Sequence, residues 1–585
     1  MLLSANKGVC TTVISGQALQ NVGNGDKPSF LPLYRLLFFK PTKVGKVLVV
    51  NFLSSQVKSC DYDFRKILFQ VLSNFWMICQ LYIIEAKKFL KSLQKIVDTE
   101  HLTIYYTNNT YDEVIMNEIN FYINDKHYTQ RLEPGWTALY LLRNVLKLTG
   151  TKESCSEGDC GACTVAIGQY NNDNNFIYKS VNSCIFPAVK LHNTHLISIE
   201  GLSIDREIHP VQEFLLEHHG TQCGFCTPGI IMSLFALFSI KINPEKEDIL
   251  SFLEGNLCRC TGYQTILDAA ESLYSYYQKN PNAYECFMPS YCAEIQTELR
   301  KNKSSTTIAS VSSAALERNE THKYLMPYTI EDFLNISNKN PQTKIINGGT
   351  DIMVEVNIKR QIPEELIDIS KIAELQKTEF INNTLIIGGA VTYDDLSGNN
   401  EIIQKIPALK HIINQIASQQ IRHTASISGN IANASPVADM ATCLLALDTE
   451  LTLILKDNQR TVKLKDFYLD YKKTILQQNE LIKNIIIPVK KAFVNFEKST
   501  KRKAVDISAV VSCCYIDDEI IRIAFGGVAA IPRVFEFKKE DDIVNKLLSE
   551  FSPLSDVRGS KEYRNILIKN HIQSHLQKFE GGINE

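Results

Sequence analysis

Eight of the 16 cysteines in this 585-residue chain fall into two short runs. The first is Cys155, Cys160 and Cys163, completed by Cys184; the second is Cys223, Cys226, Cys258 and Cys260. Each run supplies four thiols, the number that a 2Fe–2S cluster takes from a protein. The first spacing, C-x4-C-x2-C with a distant fourth cysteine, is that of the plant-type 2Fe–2S loop. Gly158 and Gly161 lie inside it. Without a Cβ they let the backbone curl around inorganic sulfide and aim amide N–H groups at it. Grouped thiols can also form disulfides or bind zinc. Disulfides need an oxidising compartment, and no stretch reads as a convincing secretory signal. A glycine-laced loop is not a usual zinc knuckle. The second run alone does allow tetrahedral zinc, since C-x2-C with a distant C-x-C can hold it. Its place directly after the first run weighs toward a second cluster.

A different chemistry is suggested downstream by glycine, serine and asparagine. Lys344 to Met353 reads as a short apolar strand followed by Gly348-Gly349. Paired glycines after a strand let main-chain N–H groups approach a pyrophosphate. This is not the G-x-G-x-x-G fingerprint, and turns use glycine routinely, so the pair is weak on its own. Ala425 to Asp439 packs serine, glycine, asparagine and aspartate into one irregular stretch. Small apolar residues between them point to a buried, shaped loop rather than a polar surface one.

These residues need elements to hold them. Ile119, Phe121 and Ile123 alternate as in a half-buried strand, and Asn124-Asp125-Lys126 is a turn into a second strand at His127 to Leu132. Thr137 can cap a helix, Thr164 to Ile167 reads as a strand leaving the cysteine loop, and His195 begins a last strand. From Pro210 the period turns helical, with Thr227 as N-cap before Pro228 and further helices at Glu247 to Glu254 and Thr265 to Tyr277. Such a bundle would carry the second run at helix ends, where N-terminal dipoles favour thiolate. Residues 279–322 are polar, small and without period, a linker by composition. Thr329 caps a helix at Ile330 to Ile336. Near the C-terminus, Asp506 to Ser512 and Arg522 to Ala529 read as antiparallel strands.

Length allows three or four domains. With 44% hydrophobic and 22% charged residues the composition is that of a soluble globular protein, and a net charge of −2 gives no electrostatic case for nucleic acid. Eight further cysteines, Cys10, Cys60, Cys79, Cys286, Cys292, Cys443, Cys513 and Cys514, share no ligand spacing, as expected in a reducing cytosol. Ile67 to Ile84 is uncharged over a length barely able to cross a bilayer, and its four polar side chains are costly there. A buried helix or no stable structure is expected, and no membrane partner. The hairpin pattern makes Met116 the expected true start; a real N-terminal extension or tether is the other reading.

The order of these motifs resembles the xanthine dehydrogenase and aldehyde oxidase family. The resemblance rests on Gln222-Cys-Gly-Phe-Cys-Thr-Pro-Gly, Asn256-Leu-Cys-Arg-Cys-Thr-Gly-Tyr and the first run before them, and covers about residues 116–585. It implies two 2Fe–2S clusters on the eight cysteines, the second nearer the molybdenum cofactor and the first nearer the flavin. Gln222 matches the family's glutamine that hydrogen-bonds molybdopterin. Ile346, Asn347, Gly348, Gly349, Thr350, Asp351 and Ile352 match the first pyrophosphate loop for FAD. Ser426, Gly429, Asn430, Ser435 and Asp439 match the second flavin loop. Asp470 to Thr474 and Glu480-Leu-Ile482 match a further stretch against the cofactor. Lys498 falls where the family often has a basic residue near the flavin; otherwise it is a surface lysine beside Lys501, Arg502 and Lys503.

The expected fold is α+β and multidomain. An atypical extension (1–115) precedes a β-grasp, ferredoxin-like 2Fe–2S domain (116–203) and a helical-bundle 2Fe–2S domain (204–278). After the linker come an α/β FAD-binding domain of the PCMH type (323–490) and a small α/β C-terminal domain like that of CO dehydrogenase flavoproteins (491–585). The chain stops without a molybdopterin domain, as in the small subunit of two-chain bacterial members. The resemblance therefore implies a cytoplasmic heterotetramer, two of each chain, with a large molybdopterin-binding partner. Electrons from hypoxanthine or xanthine oxidation would pass through the clusters to FAD and NAD+, and no residue here would catalyse the hydroxylation itself. The alternatives are a subunit of another molybdenum hydroxylase acting on aldehydes, aromatics or CO, a free-standing NADH:acceptor diaphorase, and a non-enzymatic redox sensor, which the flavin segments argue against.

Overall fold

The computed structural model describes residues 2–6 and 9–13 and, with short interruptions, 118–582. Met1–Thr110 and Tyr111–Glu585 are separate compact units. In the first, the described part is an antiparallel hairpin of Leu2–Asn6 and Val9–Val13. The apolar stretch 67–84 and the expected start at Met116 lie outside the described residues. Among the described residues no helix is long and apolar enough to cross a membrane.

In the second unit, the first cysteine run is held by a five-stranded sheet. Its order is Lys126–Gln130, Ile119–Ile123, His195–Ile197, Thr164–Tyr170, Phe176–Asn182. Ile119–Ile123 and His195–Ile197 run parallel; the other neighbours are antiparallel. Ile119, Phe121 and Ile123 are all buried, since alternate strand residues share a face. The Thr137 hydroxyl accepts the Tyr140 N–H at 3.1 Å, capping a short helical segment that buries Leu141 and Leu142.

The second run sits on a bundle of helices Pro210–Glu217, Thr227–Ile240, Lys246–Leu253 and Gln264–Lys279. Thr227–Ile240 is buried from Gly229 through Phe238, as a helix apolar on nearly every side must be. It packs on the strands Thr164–Tyr170 and Phe176–Asn182, joining bundle to sheet. The sequence predicts Thr227 as its cap, but Cys226 occupies that position and Thr227 begins the helix. The Thr227 hydroxyl is turned to Thr221 Oγ1 instead, at 2.7 Å.

The stretch 279–322 contains a helix, Cys292–Asn302, and a strand, Ala309–Ala314. Cys292, Ile295 and Leu299 are buried at helical spacing, a period masked by the polar residues around them. The strand joins a four-stranded sheet in the order Lys344–Ile346, Glu365–Asp368, Thr321–Met326, Ala309–Ala314. A second sheet of five strands follows, with Leu481–Pro488 at its centre between Thr384–Gly388 and Glu450–Leu455. The last sheet is a four-stranded antiparallel meander, Phe493–Ser499, Val510–Ile516, Ile520–Gly526 and Arg533–Lys538, covered by the helix Lys561–Glu580.

Candidate functional site

The folded chain gathers each run of thiols. In the first, Cys155 is hydrogen-bonded by Cys160 and Cys184, and Cys163 by Cys184. The donors hold Cys155 and Cys163 below the ordinary thiol range, while sharing their protons pushes Cys160 and Cys184 up. In the second run Cys223 pairs with Cys260 and Cys226 with Cys258. Burial opposes ionisation of Cys258, but the Thr261 hydroxyl and amide, at 3.1 and 3.5 Å from Sγ, outweigh it and hold the thiol down to about 7. Backbone amides also reach sulfur at Cys155, from Glu157 at 3.4 Å. Cys226 holds the N-cap position of the helix Thr227–Ile240 without a side-chain cap bond, and burial pushes its thiol up to about 12.

Each iron of a 2Fe–2S cluster needs two thiolates. The four thiols of each run lie within hydrogen-bond reach of one another, and they fit that requirement.

The two cysteine loops touch directly. The Leu257 amide donates to the Cys160 carbonyl at 2.9 Å, so one hydrogen bond joins a residue of the first run to the neighbour of Cys258. Gly161 makes this approach possible. A Cβ there would lie 2.3 Å from the Gly255 carbonyl oxygen, and its φ is +68°. From the helix side, a Cβ at Gly229 would lie 2.1 Å from the Gly161 carbonyl oxygen. The outer face differs between the runs. Cys223 and Cys260 are exposed, with Phe225 and Tyr263 exposed beside them. Gln222 is exposed next to Cys223.

The first run faces the glycine loops. Cys163, Cys184 and Ile185 pack against Met353 and Val356 of the helix Ile352–Lys359. Asn357 of that helix donates to the carbonyls of Ser156 and Cys184, both at 2.8 Å. Immediately before the helix lie Ile346, buried at a strand end, and Asn347, Gly348, Gly349, Thr350 and Asp351. A Cβ on Gly348 would meet the Thr424 carbonyl oxygen at 2.1 Å, so this turn lies against the residues that lead into Ser426. Ser426 caps the helix Ile427–Asn433, accepting the Gly429 N–H at 3.1 Å. Asp351 accepts from Asn433 at 3.1 Å, a direct tie between the two predicted flavin loops. Asn430 Oδ1 is buried without a hydrogen-bond partner. An orphan buried acceptor next to Gly429, in a segment tied to the glycine turn, fits a bound polar cofactor such as FAD.

Asp439 and Lys498 are brought together, Nζ to Oδ2 2.7 Å, both nearly buried. Lys498 also donates to the Gln415 carbonyl at 2.6 Å and Ser508 to Asp439 at 2.6 Å. Lys498 is therefore not a surface lysine. Burial raises the Asp439 carboxyl despite that partner. Ser435 stays local, accepting from the Val437 amide. Ile482 is buried with its carbonyl 2.1 Å from where a Gly389 Cβ would be.

Four features escaped the sequence reading. Gly388-Gly389 is a third glycine junction, whose Gly389 carbonyl accepts from Asn347 Nδ2 at 2.9 Å and from the Ser428 hydroxyl. The plain Gly-Gly after an apolar strand was its signal. Lys190, beyond Cys184, is buried and donates to the Asn347 carbonyl at 2.7 Å and Ser370 Oγ at 3.0 Å, with Asp368 at 3.4 Å. The short helix Gln419–Arg422 carries Gln420 and Arg422, followed by His423, all buried. Arg422 pairs with Glu254 at 2.9 Å, and His423 Nδ1 contacts the Ser180 carbonyl at 2.7 Å. Lys179 binds Asp394 and Asp395 at 2.9 and 3.0 Å. Burial opposes its charge, yet the two carboxylates hold its pKa above the usual range.

Parts of this chain match known protein families. Residues 121–189 match the family of the 2Fe–2S iron-sulfur cluster binding domain, residues 198–271 the 2Fe–2S binding domain, and residues 316–490 the FAD binding domain in molybdopterin dehydrogenase. The chain is 32% identical over 494 residues to a xanthine dehydrogenase of Emericella nidulans, covering 76% of this chain and 36% of that protein. It is 30% identical over 459 residues to a xanthine dehydrogenase/oxidase of Gallus gallus, covering 68% and 33%. The chain thus spans about a third of the length of the curated relatives it matches. Among solved structures, quinoline 2-oxidoreductase from Pseudomonas putida 86 aligns over 44% of this chain and 96% of that one, at 21% identity and a TM-score of 0.42. The chain belongs to the molybdenum hydroxylase family and carries iron–sulfur and FAD domains of that family.

Proposed function

We propose that this chain is the iron–sulfur/flavin subunit of a xanthine dehydrogenase. On this reading it carries electrons from a molybdenum cofactor on a large partner chain to NAD+ during hypoxanthine and xanthine oxidation. When bound, the clusters and flavin supply one-electron and hydride chemistry, which lets a two-electron oxidation be passed on in single steps. Cys223, Cys226, Cys258 and Cys260 hold the entry cluster, and Cys155, Cys160, Cys163 and Cys184 the inner one. Asn347 to Asp351, Ser426, Gly429, Asn430, Ser435, Asp439, Ile482 and Lys498 line the flavin.

The observation that carries this reading is the one-way order of the contacts. The second run has an exposed, aromatic-rimmed outer face at Cys223, Phe225, Cys260 and Tyr263. Its inner side meets the first run through the Leu257 to Cys160 hydrogen bond. The first run in turn is bonded by Asn357, from the helix that leads out of the turn of Asn347 to Asp351. The exposed face suits a partner that brings molybdopterin to Gln222, in a cytoplasmic assembly of two small and two large subunits. The chain's own residues hold, orient and shield; no proton has to move on them. Xanthine-dependent NAD+ reduction by the chain co-purified with a molybdopterin-binding partner supports the reading. A Cys258→Ser variant should lose that activity while keeping FAD. Full activity in this variant, or denatured protein that releases no FAD, would overturn it.

A further inference from the structure

Between the two runs and the glycine loops lies a buried chain of amides. Gln420, fully buried in the helix Gln419–Arg422, donates from Nε2 to Asn256 Oδ1 at 2.9 Å and to Ser233 Oγ at 3.0 Å. Ser233 Oγ also donates to Asn256 Oδ1, at 2.7 Å. Asn256 Nδ2 then donates to the Gly161 carbonyl at 3.1 Å, with Thr164 Oγ1 at 3.4 Å. Thr164 Oγ1 donates to the same carbonyl at 2.7 Å. Gly161 lies between Cys160 and Cys163, and Asn256 lies two residues before Cys258. The sequence that supplies Gln420 continues through Thr424, against Gly348, into Ser426. One side chain thus bonds the residues that join the two runs, and its own segment leads into the second predicted flavin loop.

We propose that Gln420 is a positioning residue that sets the spacing and the electrostatics of the two cysteine loops through Asn256. This deepens the reading above and rests on the two runs holding clusters. The donor matters more than the volume. Donation into Asn256 Oδ1 polarises that amide and strengthens its own donation to Gly161. The dipoles so aligned point positive charge toward the first cysteine loop, and hydrogen bonding around the sulfurs raises cluster potentials. Gln420 Oε1 has no partner, and it lies 2.2 Å from where a Cβ on Gly255 would be. The amide is therefore held against the loop on its acceptor side and used only as a donor.

The test compares Gln420→Leu, which keeps the volume and removes the donor, with Gln420→Ala, each in the full chain as purified with its cofactors. Iron and FAD content are measured first, so that loss of the clusters in wild type would sink the reading of the runs rather than this inference. Redox titration followed by EPR is then the readout. Gln420→Leu with full iron is expected to lower the potential of the first-run cluster, cutting its reduced-to-oxidised ratio at fixed potential roughly threefold or more. It should also change the spin–spin splitting between the two reduced clusters. If Gln420→Leu matches wild type in both readouts while Gln420→Ala does not, Gln420 is only filling space and the inference fails. If both variants lose iron, Gln420→Met decides: it keeps an unbranched side chain but removes the donor to Asn256 Oδ1, and an unchanged potential there overturns the proposal.

Discussion

The contact between the two cysteine loops can be broken without touching a cysteine. Gly229 is buried in the first turns of the helix Thr227–Ile240. A methyl group there would stand 2.1 Å from the Gly161 carbonyl oxygen and 3.2 Å from the Ala162 Cα. Those neighbours are backbone, so they cannot rotate away, and the first loop must retreat by about 1 Å to restore ordinary contact. Alanine in place of glycine gains about 1 kcal/mol of helix propensity. Against this stand overpacking of about 1–3 kcal/mol and the loss of about 1 kcal/mol if the Leu257 to Cys160 hydrogen bond parts. The net expectation for Gly229→Ala is a destabilisation of about 1–3 kcal/mol, seen as a fall of a few degrees in the melting of the cluster domains. Gly224→Ala is the control. Its φ is +81° but a Cβ meets nothing within 4 Å, so the cost is about 1–2 kcal/mol of local strain with no movement of the first loop. Thermal melts should be paired with visible circular dichroism of the clusters, which reports their surroundings. Gly229→Ala should alter the spectrum of the first-run cluster, and Gly224→Ala that of the second alone. A Gly229→Ala protein that melts at or above wild type with an unchanged spectrum would refute the steric reasoning.

Other perturbations follow from the same contacts. Lys190→Met removes a charged donor from the Asn347 carbonyl, worth about 1.5–3 kcal/mol, and should weaken FAD retention about tenfold or more at equal iron content, read by flavin released on ultrafiltration. Arg422→Met leaves the Glu254 carboxylate without its cation and should cost about 3–5 kcal/mol in denaturant unfolding; adding Glu254→Gln should recover much of it, and no recovery would mean that Arg422 acts through its backbone contacts instead. The pair His571 and His575, on the helix over the last sheet, faces Ser499, Ser512, Asn495, Glu497 and Lys578. Burial pushes their pKa values down to about 4 and about 3. Both are neutral when folded, so the unfolded chain takes up protons first. Stability contributed by their burial is complete above about pH 6.5 and falls as pH drops toward 4, by up to roughly 3 kcal/mol per ring. Hydrogen exchange along Lys561–Glu580 should accelerate over that window, and His575→Gln should flatten the slope.

The parts that sequence made legible share one property: their chemistry is local. Cysteine spacing encodes a loop that closes on itself, and the alternation of Ile119, Phe121 and Ile123 needs only the pleat. Gly348-Gly349 and Ser426 to Asp439 carry turn and cap chemistry within a few residues. The helix cap displaced from Thr227 to Cys226 is a miss of one residue, made because a threonine before proline is the stronger statistical cap and a thiol that must face its neighbours is not. Lys498 could be read as flavin-facing or as surface, since its neighbours Lys501, Arg502 and Lys503 are polar; only the arrival of Asp439 from a distant helix pairs it and takes it out of water.

Gln419-Gln-Ile-Arg-His423 shows the limit more sharply. As sequence it is a polar segment of the kind that lies on a surface. In the fold Gln420, Arg422 and His423 are buried, because the surfaces that cover them come from elsewhere: Ser233, Glu254 and Asn256 from the helical bundle, Ser180 from the sheet. No periodicity within the segment can announce a partner more than 150 residues away in sequence. Burying polar side chains is costly unless each is paired, and here nearly every donor is. That cost is a reason for the arrangement as much as an obstacle. An apolar interface between domains tolerates small slips, whereas a paired polar one is satisfied in a single register. For loops that must keep two redox centres at fixed separation, register is the property to be held, and it is held by the residues that sequence alone marks as least remarkable.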